Sequence, residues 1–442
     1  MRKATIFCLL LAVLSAALLA GAAIALDQRK NDVAVEEIFL SGDSSAADGL
    51  VLRTRLWLDH DQDNVWWEWE HRFGAEPAHS ASFRFAAFPP QATPAPSYSG
   101  LTLCAPGLYN GMDGDWCANA MYEDVAGRAA RSTDGEYTER VALADYFDAL
   151  PISFDLSFPD STLDFTTNAA YGGSGTALYR RLNEVFRISV TEDMTATITV
   201  GTDESGRLSY WSLESSSLIE SVSVPAANGI YFAISPRPAG QPALDLSEIE
   251  LGYGVYYLPM IPSAHQKGSV VPDPDGLCLA LPLDPDAVDT VEEIVYQAEH
   301  DRLFLLTRKD GLYTLTAVRE STREVLSMLT LTSPGRGRFA SMRYEDGFLV
   351  ALFRDSWFSV IAEGENGYAP VFSTINYREY LDPETTNMAF DGKRLAVFGS
   401  YELSVFNANG LQFQAYYFPF HQNMFLGHLE SSDCVMEWEG TP

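Results

Sequence analysis

Between about Glu292 and Phe420 the sequence matches itself at an offset of 45 residues, and no other feature restricts the fold as sharply. Asp301, Asp346 and Asp391 fall in register, as do Leu305, Val350 and Leu395. Further along each copy come Tyr313, Phe358 and Leu403, then Leu315, Val360 and Val405, then Leu326, Val371 and Tyr416. Each copy reads as turn, strand, turn, strand, a looser hairpin and a further strand. In the first copy Leu303-Phe304-Leu305-Leu306 is a short apolar run, Lys309-Asp310-Gly311 is a turn, and Leu312 to Val318 alternates. That is hairpin chemistry, in which Asp and Gly supply turn conformations and the apolar runs supply buried faces. The recurring aspartates therefore have a structural reason: a tight turn needs a polar residue there.

A period of about 40 to 50 residues with several short strands per copy is what a β-propeller blade requires. The array resembles a propeller in general, without the Trp-Asp or kelch signature of a named class. The expected fold is all-β, a β-propeller-like array with roughly 45-residue blades in the C-terminal third, preceded by one N-terminal hydrophobic helix. Propellers have about four to eight blades, so three copies need upstream partners. One and two periods before Asp301 stand Tyr256 and Trp211, so the register is lost there. Strand character nevertheless continues in Arg207 to Leu213, Gly229 to Ser235 and Leu251 to Leu258, and earlier in Val33 to Leu40, Leu50 to Leu58 and Val65 to Phe73. One diverged propeller with inserted loops explains this, and a β-sandwich followed by a smaller propeller-like repeat domain is the rival. The corresponding division is a signal segment at 1–26, a diverged β-rich region at 27–290, and repeats with a C-terminal tail at 291–442. Val33 to Leu40 is expected to pair with the strand near Leu411 to Phe418, which would protect both edges. A helix is expected at Ala177 to Phe186, where Leu178, Leu182, Val185 and Phe186 share a face. Phe88 to Pro96 and Val271 to Asp289 read as loops.

Arg2 and Lys3 precede an uncharged run from Ala4 to Leu26. Its Ala23-x-Ala25 ending fits a signal-peptidase site, while its length, at about 1.5 Å per helical residue, suits a retained membrane anchor. The stretch Leu19-Ala20-Gly21-Ala22 lacks the cysteine a lipoprotein would acylate. With 29 Lys+Arg against 60 Asp+Glu the net charge is −31, a field that repels phosphate backbones and excludes nucleic acid as a partner. Cys8 lies in the apolar run, leaving Cys104, Cys117, Cys278 and Cys434, which allow three pairings. An exported location permits a Cys104–Cys117 bridge, across a loop rich in Gly, Asn and Asp, without requiring it.

Asp59, Asp61, Asp63 and Glu70 stand at positions 1, 3, 5 and 12 of a stretch that matches a calcium loop in spacing. Asn64 stands where such a loop wants Gly, and Val65 to Glu70 alternates as a strand that would aim Glu70 away, so a solvated hairpin tip competes. Trp66 and Trp67 on the same hairpin are candidates to stack on a sugar, although alternation places them on opposite faces and at least part of the set in a core. No Gly-x-Ser-x-Gly, His-Glu-x-x-His or sialidase-type Ser-x-Asp-x-Gly-x-x-Trp sequence is present, and pairs such as Asp145 with Asp148 arise readily among 60 acids. Calcium is the one cofactor the sequence suggests. The expectation is an extracytoplasmic, non-enzymatic binding module for a surface protein or glycan, touching the membrane through its N-terminal helix only. Its rival is a glycoside hydrolase-like enzyme with carboxylates in the propeller channel. The enzyme should display converging carboxyls of raised pKa, and the binder an exposed aromatic or apolar patch.

Overall fold

The computed structural model describes residues 33–58, 65–76, 78–85, 100–104, 124–125, 127–128, 136–157, 177–202, 208–214, 218–262, 270–331, 338–345, 347–354, 357–364, 367–375, 387–399, 401–421 and 429–439, with parts of a helical segment between 13 and 28. No helix among these residues is long and apolar enough to cross a membrane. The chain is all-β and propeller-like, a series of small antiparallel sheets whose strands mostly follow one another in sequence. It forms two compact units, one of residues 1–93, 335–364 and 369–442, the other of 94–334 and 365–368. The repeat is thus shared between them. Strands are numbered in chain order.

In the first unit the second repeat copy folds as β19 (Phe339–Glu345), β20 (Phe348–Phe353), β21 (Trp357–Gly364) and β22 (Gly367–Ile375), paired in that order. The third copy is β23 (Asn387–Phe390), β24 (Leu395–Gly399), β25 (Glu402–Asn407) and β26 (Gly410–His421). This sheet takes a fifth strand, β1 (Val33–Gly42), antiparallel to β26 from Val33 opposite His421 to Phe39 opposite Ala415. That is the pairing expected from sequence. Most of the apolar positions that recur in the repeat are buried, Val350 and Leu395 on second strands and Phe358, Val360, Leu403 and Val405 on third strands, whereas Val371 and Tyr416 on the last strands are not. Phe358 meets Phe406 edge to face at 5.0 Å, joining the two copies through an apolar core. Burying each such side chain contributes about 1.5–3 kcal/mol.

A further sheet of this unit combines the two ends of the chain, in the order β27 (Leu429–Trp438), β2 (Leu50–Leu58), β3 (Val65–Arg72) and β4 (His79–Phe85). The β2–β3 hairpin matches the sequence expectation. The last strand corrects the reading of the C-terminus as a tail: Met436 and Trp438 alternate with exposed Val435 and Glu437, and this half-buried pattern completes the sheet. Its core face packs Leu50, Leu52, Leu56 and Trp67 against Leu403, Val405, Phe413 and Tyr417. Arg394 ties the parts together. Its guanidinium pairs with Asp391 at 2.7 Å, donates to the Ala46 carbonyl at 2.9 Å, and lies 4.0 Å over the Trp438 ring. Asp391 accepts the N–H groups of Lys393 and Arg394 across its turn, the structural role expected of the recurring aspartate. Asp346 lies outside the described residues.

In the second unit the first repeat copy forms β15 (Thr290–Gln297), β16 (Arg302–Lys309), β17 (Leu312–Arg319) and β18 (Glu324–Leu331). Asp301 enters β16 at φ 54° and accepts from the Ser321 N–H and hydroxyl at 2.7 and 2.6 Å. Beside this sheet lie β10 (Ser221–Ala226), β11 (Gly229–Ile234) and β12 (Gly254–Pro262), with β13 (Val270–Pro272) and β14 (Cys278–Pro282) both pairing β12. The stretch from Val271 to Asp289, expected to be loop, therefore contains strand. Cys278-Leu279-Ala280-Leu281 is a short apolar run between proline turns, and it satisfies its backbone against Gly254 to Tyr257. Gly254 permits the approach, since a Cβ there would lie 2.0 Å from the Leu281 carbonyl oxygen. The unit also holds β5 (Gly100–Cys104) with β7 (Ser153–Ser157), and β6 (Glu136–Ala142), β8 (Thr195–Thr202) and β9 (Leu208–Glu214). Helix α1 (Ala177–Val185) buries Leu178, Leu182 and Val185, as its spacing predicts.

Candidate interaction surface

The β2–β3 hairpin carries most of the residues singled out from sequence, and it puts them to structural use. Glu70 stands opposite Arg53 and lies 2.7 Å from Arg53 and 2.7 Å from Arg72. Arg53 continues to Glu437, and Arg72 to Glu439. The guanidinium of Arg53, then that of Arg72, holds the Glu70 carboxyl below the usual carboxylate range. Glu70 thus takes part in a cross-strand charge ladder, its strand geometry directing it along the sheet face. Asp59, Asp61 and Asp63 lie outside the described residues. Among the described residues no group of three His, Cys, Asp or Glu is placed to hold a metal ion.

Trp66 and Trp67 are also corrected. Trp67 is fully buried and tilted against Phe83 at 5.5 Å, and Trp66 is buried with the Arg55 guanidinium 5.7 Å from its ring centre. Both rings are taken up by packing within the sheet, while Glu68 and Arg72 on the face of Trp66 stay part-exposed. The Cys104 side chain and Cys117 lie outside the described residues; Cys278 and Cys434 are free thiols, and burial pushes that of Cys434 up to about 12. Asp145 and Asp148 are both exposed. The carboxyls that depart clearly from their ordinary range move downward: Asp301 through Ser321, Asp289 through the Asp310 N–H, Asp43 through the Ser45 N–H and Asp245 through Ser247. Asp391 does so despite burial, held by Arg394.

The feature the sequence reading missed is the outer side of β1. Strand parity turns Val35 and Phe39 toward the face that carries Phe413, Ala415 and Tyr417, and turns Glu36 and Ile38 toward the face of Tyr416 and Phe418. Tyr417 donates to Glu37 at 3.1 Å, anchoring the middle of the strand. Beyond that anchor the strand opens to solvent, with Ile38, Phe39 and Leu40 exposed by 42%, 57% and 38%. Phe418 adds a ring stacked on Tyr416 at 5.4 Å and tilted against Tyr401 at 5.7 Å. Leu40 is the extra residue of a bulge, followed by Gly42 at φ 92°, where a Cβ would meet the Gln412 carbonyl at 2.0 Å. The signal was available: three consecutive apolar residues in a strand must put apolar surface on both faces, and a strand half covered by a core can hide only one.

No known protein family matches the chain, and no curated protein matches it. Among solved structures it is similar to the periplasmic gluconolactonase PpgL of Pseudomonas aeruginosa, with 14% identity, 87% of this chain and 99% of that chain covered, and a TM-score of 0.30. It is also similar to apo AztD of Citrobacter koseri, with 9% identity over 88% and 99% of the two chains and a TM-score of 0.31. Saccharomyces cerevisiae Sqt1 matches at 11% identity over 54% and 68%, with a TM-score of 0.26. At such identity and fit, none of them lends this chain an activity or a ligand.

Proposed function

We propose that this propeller-like protein is a non-enzymatic binding module, held outside the cytoplasm by its N-terminal apolar segment, that engages a protein partner through the β1–β26 edge. The observation that carries the reading is the exposed run of three consecutive apolar residues, Ile38-Phe39-Leu40, on an edge strand of a chain with net charge −31. Ile38 shares its face with Phe418 while Phe39 turns to the other, so the apolar side chains flank an edge that an incoming strand would cover on both faces. The tether rests on the run from Ala4 to Leu26, and only residues 27–32 separate it from β1, a span of at most about 20 Å when extended. A glycoside hydrolase-like role has less support, since it needs one carboxyl kept protonated near neutral pH, whereas Glu70 and the five displaced aspartates move the other way.

The test is an array of cell-surface proteins and glycans probed with the full chain in detergent and with its Ile38→Glu variant. Saturable binding to a protein that the variant loses supports the reading. Binding confined to glycans, or cleavage of an arrayed glycan, would overturn it.

A further inference from the structure

We infer that the outer edge of β1 accepts an additional strand from a partner protein, an extended segment carrying basic residues opposite Glu36 and Glu37 and apolar residues opposite Ile38, Phe39 and Leu40. The inference rests on the interaction reading above and names its partner chemistry and its mode. β1 is the end of its five-stranded sheet, and no strand among the described residues pairs its outer side. It is ten residues long, and Glu36 to Leu40 are all exposed. An edge of this length leaves a row of backbone donors and acceptors able to template another chain. Natural edges are blunted by brevity, by lysine or proline, or by bulges and charges; the sequence VAVEEIFLSG is long and has no lysine or proline, its bulge comes only at Leu40, and its charges are the two glutamates that a basic segment would meet. The edge at the far side of the neighbouring sheet, β4, is polar by contrast, with Ser80 exposed and Arg84 paired to Glu68.

Charge selects the occupant. Glu36 and Glu37 sit next to the apolar run on a chain of net charge −31. A second copy would bring the same field with it, whereas a basic segment is drawn in and held in register by the two carboxylates. Main-chain hydrogen bonds then supply affinity, and the alternating side chains supply selection.

The probe is a synthetic peptide as long as β1, capped at both ends, with lysines opposite Glu36 and Glu37 and valines opposite Ile38, Phe39 and Leu40. It is titrated by fluorescence anisotropy against the full chain in nanodiscs. The expected result is saturable binding that weakens at least ten-fold when the lysines are replaced by glutamates, and at least ten-fold in the Ile38→Glu chain. Glu36→Lys, at an exposed site that leaves the fold intact, should narrow the preference between the two peptides at least three-fold. N-methylation of alternate peptide amides keeps every side chain but removes donors, so one of the two alternations should abolish binding. Equal affinity of lysine and glutamate peptides, indifference to N-methylation, or no binding by either peptide would each overturn the inference. So would a dimer in sedimentation velocity, or attachment to protein-free vesicles, that Ile38→Glu abolishes, since these assign the edge to a second copy or to lipid. A protein ligand on the array that Ile38→Glu loses, together with a silent peptide, would sink strand addition while leaving the interaction reading in place.

Discussion

His71 gives the first unit a built-in sensitivity to acid. The residue lies on β3 at 8% exposure, its ring 4.3 Å from Phe73, 5.3 Å from Tyr417 and 5.7 Å from Trp69, and its Nδ1 has no hydrogen-bond partner. Burial first, and the charge of His79 opposite it second, lowers its pKa from 6.5 to about 4. The folded state therefore keeps the imidazole neutral where the unfolded chain would protonate it. With a folded pKa below the unfolded one, the contribution to stability is complete above pH 6.5 and is lost as pH falls toward 4. The full shift corresponds to about 3 kcal/mol, of which about 2.5 kcal/mol is gone by pH 4.5, a large part of a typical domain stability of about 5–15 kcal/mol. His71→Phe fills the same aromatic cluster and cannot titrate. Urea unfolding followed by tryptophan fluorescence, at pH 7 and at pH 4.5, should show the wild type losing about 2 kcal/mol more than the variant between the two conditions. Carboxylates such as Glu70 titrate in both proteins and cancel in the comparison. Equal losses in the two proteins would refute a buried neutral histidine.

Four other substitutions probe the packing. Gly254→Ala should lower stability by about 2–4 kcal/mol, because its Cβ meets the Leu281 carbonyl; an unchanged thermal midpoint would mean that β14 does not lie so close. Phe358→Ala should cost about 3–5 kcal/mol in chemical unfolding by emptying the core between the second and third repeat copies. Arg394→Ala should cost about 2 kcal/mol, leaving Asp391 half-buried without its cation and Trp438 without its cover, and Arg394→Lys should recover only part of it. Ile38→Glu should leave the urea midpoint within about 0.5 kcal/mol of wild type, since the side chain is already in water; a larger loss would show that it is a core residue.

What the sequence disclosed follows from how each feature is encoded. The repeat was legible because Val350, Leu395, Phe358 and Val405 are buried at equivalent points of equivalent strands, so the same packing demand recurs along the chain. The pairing of β1 with β26 was legible because an open third copy needs its edge covered and Val33 to Leu40 is a strand without a local partner. The pairing of β27 with β2 was not, since Leu429 to Trp438 carries Ser431, Ser432 and Asp433 in its middle, a polar stretch that does not read as strand. Nor was Cys278 to Pro282, where flanking prolines signal turns more strongly than four residues signal a strand. The candidate site residues misled for a related reason. Acids and tryptophans were read as groups offered to a ligand, yet the hairpin that presents them is the third strand of a sheet, where Glu70 meets two arginines and Trp67 meets a core.

The same contrast separates the surface of β1 from the outer face of the β2–β3 hairpin. On β2 and β3 the outer face is laced with ion pairs, Arg53 with Glu70 and Glu437, Arg72 with Glu439, and Glu68 with Arg84 of β4. On β1 Glu37 meets the Tyr417 hydroxyl and the Phe39 ring lies 6.4 Å from that of Phe413, while Ile38, Phe39 and Leu40 remain exposed by 42%, 57% and 38%. Core packing asks of β1 only Val33, Val35 and the backbone pairing with β26. Core packing therefore accounts for the first half of the strand more fully than for the second, and it is to this exposed second half that the proposed partner strand is assigned. The basic strand proposed above brings positive charge to Glu36 and Glu37 and so approaches the edge with the field of the chain, whose net charge is −31, rather than against it.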